Sequence, residues 1–286
     1  MGIEGLSIFE RGTLPRWAKV RQRLNDIEEP DIAAAIAREF AKPGIGDSIT
    51  PGQSVALTAG SRGVHAIDQI LLATIAELRK IGANPFIVPA MGSHGGATVE
   101  GQLSILEHYG ITPEKMGCEI RASMETVHIG YVEETVPVYF DRNAYEGADA
   151  VIPIGRVKPH TDFVGPVESG LMKMIAIGLG KQKGAEYFHA RGFKHFDHLI
   201  PAVGQFSLTK VNMPFGIATV ENGYAHCSLI EAVPAAQMYD REVELLKIAR
   251  ERIGTLPGDE LDLLIIDEIG KDVSGDGADP NVINRD

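Results

Sequence analysis

Apolar positions along the chain fall into alternating short runs and helical stripes. The run SVALTAG (54–60) predicts a strand, and it leads into HAIDQILLATIAELRKIGA, where Ile67, Ile70, Leu71, Thr74, Ile75 and Leu78 recur at helical spacing. Arg79 and Lys80 in the last turn, with Gly82 beyond them, predict where that helix stops. NPFIVPAMG (84–92) predicts the next strand, so residues 54–92 read as a βαβ unit with a parallel pair. Thr98 is placed to cap a second helix, with Glu100 in its first turn.

Further along, VPVYF (136–140) and DAVIPIGRV (149–157) predict strands, the second apolar enough to lie at the centre of a sheet. Two β-rich runs flank Asn222-Gly223, a signal for a hairpin with a two-residue turn. AAQMYDREVELLKIARERIG is an amphipathic helix ending at Gly254; TLPGDE then reads as a linker and LDLLIIDEIG as a fresh buried strand. The expected fold is α/β, a Rossmann-like doubly wound, mostly parallel sheet with an added β-hairpin, over residues 1–256. Residues 257–286 are expected to be a linker and the opening of a second α/β domain, too short to stand alone. On that reading the chain folds but lacks part of the machinery for turnover.

Composition narrows the function classes. The 286 residues are 44% hydrophobic, enough for a sizeable core, and 27 Lys and Arg against 39 Asp and Glu give a net charge of -12. That field repels nucleic acid and anionic membrane surfaces, so neither is an expected partner, and an anionic ligand needs a local positive cluster. Cys118 and Cys227 lie far apart without a CxxC spacing, which points away from a disulfide framework or a thiolate zinc site. The opening MGIEGLSIFERG has no basic region followed by an apolar one, and no run is long enough to span a bilayer, so a cytoplasmic location is expected.

Three loops are rich in Gly, His and basic residues. The first, Gly60-Ser61-Arg62-Gly63, joins a strand to a helix, where backbone N–H groups at Ser61 and the Arg62 guanidinium are suited to a phosphate or carboxylate. The second, Gly92-Ser93-His94-Gly95-Gly96-Ala97-Thr98, lets Gly95 and Gly96 bring the backbone close to a ligand beside His94. Ordinary Gly-containing turns would look the same. The third runs through Gly155-Arg156-Val157-Lys158-Pro159-His160 to Ser169-Gly170-Leu171-Met172-Lys173-Met174 and on to Phe188-His189. Lys173 is embedded in apolar residues; a buried lysine holds more of the nucleophilic free amine, whereas a snorkelling lysine would be purely structural. His195 and His198 read as a solvated face rather than a metal cluster.

The order Arg62, GSHGGAT around His94, KPH at His160, Lys173, and His189 sixteen positions later resembles the lactate racemase family over most of the chain, from about residue 40 to the linker. The resemblance implies an isomerase that racemises or epimerises a 2-hydroxy acid. It implies as cofactor the nickel-pincer nucleotide, pyridinium-3,5-bisthiocarboxylic acid mononucleotide nickel, with Lys173 as covalent tether and His189 as nickel ligand. His94 and His160 are then the acid/base pair and Arg62 the substrate-binding arginine, while Ser61, Gly95 and Gly96 hold cofactor. Implied partners are the small-molecule substrate, the enzymes that build the cofactor, and a second copy in a homo-oligomer. The chemistry suits these residue types, since a two-way reaction needs a group on each face that serves as base in one direction and acid in the other.

Two departures mark this chain. Ala59 stands where the family commonly has an Asp three residues before its arginine, and the segment from His160 to Lys173 is longer than usual, which makes lactate itself a doubtful substrate. Two other function classes compete: a non-catalytic protein holding a nucleotide or small anion, and a metal-dependent hydrolase with zinc on His94, His160 and His189.

Overall fold

The computed structural model describes residues 18–60, 63–258, 260–270, 274 and 277–283. Ser61 and Arg62 lie outside the described residues. Strand β1 (Ser54–Ala59) pairs in parallel with β2 (Asn84–Pro89), with helix α2 (Ile67–Ile81) crossing between them. All six positions named from periodicity in α2 are buried, and Gly82 closes the helix at φ 93°, a left-handed conformation that glycine adopts without cost. Helix α1 (Ile32–Phe40) packs beside α2. Thr98 caps α3 (Val99–His108) by accepting from the Gly101 N–H at 3.0 Å, and Thr112 likewise caps the single turn α4 (Pro113–Met116).

The predicted strand 149–157 is two strands, β5 (Ala150–Ile152) and β6 (Ile154–Arg156), separated by Pro153, which has no N–H to give to a ladder. β5 pairs in parallel with β1, and β6 with β7 (Phe215–Glu221), which pairs antiparallel with β8 (Cys227–Pro234). Two three-stranded sheets, β2-β1-β5 and β6-β7-β8, therefore meet at Pro153. There the buried Thr58 hydroxyl accepts the Ile154 N–H at 2.8 Å.

Helices cover both faces. Val55, Leu57, Ile87 and Ile217 face α1 and α2. Ala56, Phe86, Val88 and Ala218 face the other layer. That layer holds α6 (Leu171–Lys173), α7 (Lys181–Arg191), α8 (Phe196–Leu208) and α9 (Met238–Arg252). It also holds a separate hairpin, β3 (Thr126–Val132) with β4 (Val136–Asp141), followed by the short α5 (Arg142–Gly147). The predicted VPVYF strand thus sits outside the main sheets.

The β7–β8 hairpin forms as predicted, but its turn is not two residues long. Residues Asn222 to His226 make a longer loop in which Asn222 Oδ1 accepts from the N–H groups of Tyr224 and His226 at 2.9 and 3.0 Å, and Ala225 takes φ 59°. The predicted strand LDLLIIDEIG is absent: residues 261–270 form neither strand nor helix, and Leu263 is 76% exposed. Its apolar side chains find no sheet edge to join among the described residues, and α10 (Pro280–Ile283) follows.

Candidate functional site

Because β1 runs parallel to β2 and β5, and β6 parallel to β7, the loops after β1, β2 and β6 leave the sheet at the same carboxyl edge, where ligands of such sheets gather. Between them lies the lysine segment. α6 ends at Lys173 and continues as a π-helical turn, Met174–Gly178, an irregularity common at functional sites. A Cβ on Gly60 would come within 3.1 Å of Met174 Cε, and one on Gly92 within 3.3 Å of Ile177. The Gly92 N–H donates to the Gly178 carbonyl at 3.2 Å. The first two loops therefore rest directly on the turn that follows Lys173.

That turn is packed through glycines. A Cβ on Gly178 would lie 2.7 Å from the Ala90 carbonyl oxygen, on Gly204 2.8 Å from Met172 Sδ, and on Gly216 2.9 Å from Leu171 Cδ1. Lys173 itself is half-buried, not fully enclosed as its apolar surroundings suggested. Among the described residues the fully buried lysine is Lys181, whose Nζ lies 2.7 Å from Asp141 Oδ2 and also donates to the Pro89 carbonyl at the end of β2. Burial lowers the Lys181 pKa and raises that of Asp141, each opposed by the partner's charge.

His94 is exposed at the head of a 3₁₀ turn, Gly95–Ala97. The buried Gln102 donates to the Gly92 carbonyl at 3.2 Å and to the His94 carbonyl at 3.4 Å, fixing the loop from beneath. Gly95 (φ 69°) has an internal reason to be glycine, since a Cβ would lie 2.6 Å from the Gly101 backbone; Gly96 (φ 65°) faces open space.

His160 and His189 both lie near the Phe193 ring. The Phe193 ring is 6.4 Å from the His160 ring and 5.6 Å from that of His189, and Phe163 lies 4.5 Å from His160. His160 Nδ1 accepts the Asp162 N–H at 3.0 Å and lies 3.5 Å from Asp162 Oδ2. One neighbour suits an unprotonated Nδ1 and the other a protonated one, so both tautomers have a partner. The His160 loop is closed by the Lys158–Ser169 bridge. Inside it the buried Glu168 accepts from the N–H groups of His160 at 2.6 Å and Gly165 at 3.1 Å, and from Arg250 of α9.

Positive charge near this edge also comes from residues not singled out in the sequence. Arg156 pairs with Glu221, and a Cβ on Gly63 would be 3.9 Å from its guanidinium. Lys158 lies 3.3 Å from Asp279; burial and then Arg156 lower its pKa, with Asp279 opposing. Both line a cavity of about 550 Å³ beside the His160 loop, which none of His94, His160, Lys173 and His189 lines. Among the described residues no three His, Cys, Asp or Glu side chains gather closely enough to hold a metal ion. The rings of His195 and His198 lie 5.8 Å apart, and His198 is within 3.7 Å of Glu133. Both cysteines are free, and no helix among the described residues is long and apolar enough to cross a membrane.

This arrangement defines an α/β domain whose loops, a half-buried lysine and several histidines collect at the carboxyl edge of its parallel strands. Residues 17–198 match the family described as lactate racemase N-terminal domain, and the chain belongs to that family. The fold is similar to that of the lactate racemase apoprotein from Thermoanaerobacterium thermosaccharolyticum, with a TM-score of 0.60 at 16% identity. The likeness covers 80% of this chain and 57% of that one, so this chain corresponds to little more than half of the racemase. No curated protein matches the sequence.

Proposed function

We propose that the chain holds a Lys173-tethered nickel-pincer nucleotide and takes part in racemising or epimerising a 2-hydroxy acid. The observation that carries this reading is the support of the lysine turn by two of the edge loops, with His160 and His189 both near Phe193 beside the third. The residues fit the group. Lys173 is half-buried and so reachable, glycines keep the surrounding backbone close, and the lack of a three-ligand protein cluster among the described residues suits a metal that arrives with most of its ligands and takes one histidine. The same lack weakens the zinc hydrolase alternative.

When bound, the nucleotide supplies the acceptor and donor for the hydrogen on C2. His94 and His160 exchange the hydroxyl proton, one as base while the other is acid, and Asp162 lets His160 change tautomer between directions. His189 would ligate the metal, Arg62 would hold the substrate carboxylate, and Ser61, Gly95 and Gly96 would bind the cofactor. In this reading residues 1–256 are the cofactor-holding unit, and residues 257–286 lead into a second unit.

The test is intact mass and metal analysis of protein produced together with the cofactor-making enzymes, followed by a chiral assay on 2-hydroxy acids. The expected result is a mass increment mapped to Lys173 with bound nickel, lost in Lys173→Ala. It should be retained in His94→Ala and His160→Ala, whose turnover is then lost when assayed in a longer chain that includes the second unit, and retained with weakened nickel in His189→Ala. An unmodified Lys173 in metal-free protein from that co-expression would overturn the proposal.

A further inference from the structure

The amphipathic helix α9 carries a carboxyl group that its pattern does not announce. Glu242 is 1% exposed, and its Oε2 accepts the Met172 N–H at 2.9 Å, one residue before Lys173. Its other oxygen, Oε1, has no hydrogen-bond partner among the described residues. The approach is close enough to dictate sequence: a Cβ on Gly170 would lie 2.3 Å from Oε1. Gly170 is extended (φ 167°), a conformation open to any residue, so the carboxyl group and not the backbone angle excludes a side chain there.

The neighbourhood offers Glu242 little charge compensation. Arg241 is bound by Glu231 of β8 through two contacts of 2.7 and 2.8 Å, Glu221 of β7 is paired with Arg156, and Asp240 and Glu244 on α9 add only negative charge. The one cation on α6 is Lys173. Burial pushes the Glu242 pKa up to about 7, opposed by the N–H groups of Met172 and Leu171. A fully buried carboxyl group with so little compensation is costly to fold, and such cost is typically retained where function needs it.

From this geometry we infer that Glu242 is a positioning residue for Lys173, clamping the first turn of α6 so that the lysine amine is held in one orientation. The inference deepens the proposed function and rests on its reading of Lys173 as the tether. Ionised, the carboxylate holds the Met172 N–H in the turn, with the Leu171 N–H favouring its charge; protonated, it gives up part of that grip. The same helix supplies Arg250 to Glu168, which holds the His160 backbone, so α9 underpins both the tether and the acid/base loop.

The experiment is trace acetylation of the cofactor-free chain with acetic anhydride across neutral pH, read by peptide mass spectrometry. Lys173 is compared with Lys80, whose side chain is 68% exposed and serves as internal control. In the wild type, Lys173 should show a step in reactivity near pH 7, where Glu242 ionises, in addition to its own amine titration. In Glu242→Gln the step should vanish and the plateau rate fall roughly tenfold, as expected for a misplaced nucleophile, with Lys80 unchanged. A wild type without the step overturns the inference even if the variant does not fold. A folded Glu242→Gln variant with the wild-type profile overturns it as well. Failure of the proposed function reads differently: the step persists while Lys173 gains no cofactor mass. Cofactor on Lys173 without a step sinks the inference alone.

Discussion

The Lys173 turn and the His94 loop sit at the same edge of the sheet and differ in how far their side chains are enclosed. Around Lys173, glycines at 170, 178, 204 and 216 admit neighbours that any Cβ would strike, and a buried carboxyl group grips the backbone. Around His94, the side chain is exposed and Gly96 faces open space, and the loop is held from below by Gln102 and by the packing of Gly95 on the Gly101 backbone. The contrast suits different tasks. On the proposed function, a covalent tether at Lys173 would have to hold one position, whereas a proton-transferring imidazole at His94 would need access to substrate and some freedom to adjust.

Lys181→Met should have the largest effect, because it leaves Asp141 and the Pro89 carbonyl buried without their cation. A loss of about 3–5 kcal/mol in denaturant unfolding is expected, with part recovered on adding Asp141→Asn. A fully stable single variant would show that the pair contributes nothing to holding α7 against β2.

A glycine series sharpens the contrast directly. Gly170→Ala drives a Cβ into the Glu242 carboxyl group and should cost about 1–3 kcal/mol, while Gly96→Ala meets no atom and pays only for its left-handed backbone, about 1 kcal/mol. Equal losses, measured by urea titration, would mean that the two regions are packed alike.

The third expectation is a pH dependence. The folded Glu242 pKa of about 7 lies above the ordinary value of 4.5, so the folded state binds the extra proton between those values. The contribution to stability is therefore full below that window and is lost as pH rises through it, by on the order of 3 kcal/mol for complete titration. Glu242→Gln should remove this slope and leave the variant the more stable form above neutrality. A slope unchanged in the variant would assign it to other groups.

Much of the framework was legible because it is local. The six buried positions of α2, its stop at Gly82 and the Thr98 cap follow from spacing and capping chemistry alone. What escaped depends on partners far away in sequence. Lys181 is buried because Asp141 arrives on a hairpin that the pattern only half revealed, and Glu168 and Glu242 look like solvated acids until α9 and α6 are docked. Pro153 inside an apolar run was the visible sign of the strand break, and reading it as continuous was the error. In LDLLIIDEIG, apolar content alone predicted a strand that requires an edge to pair with.

The break at Pro153 has a geometric consequence for the edge it divides. The Gly60 and Gly92 loops spring from one three-stranded plate, and the His160 loop springs from the other. Where the plates meet, a serial backbone ladder gives way to the hydroxyl of Thr58 on the Ile154 N–H. The offset between the loop that carries His94 and the loop that carries His160 is thus set like that of a vernier scale, by how two rulers are registered at a single mark. A change at that buried threonine can alter the spacing of the two histidines without touching either of them.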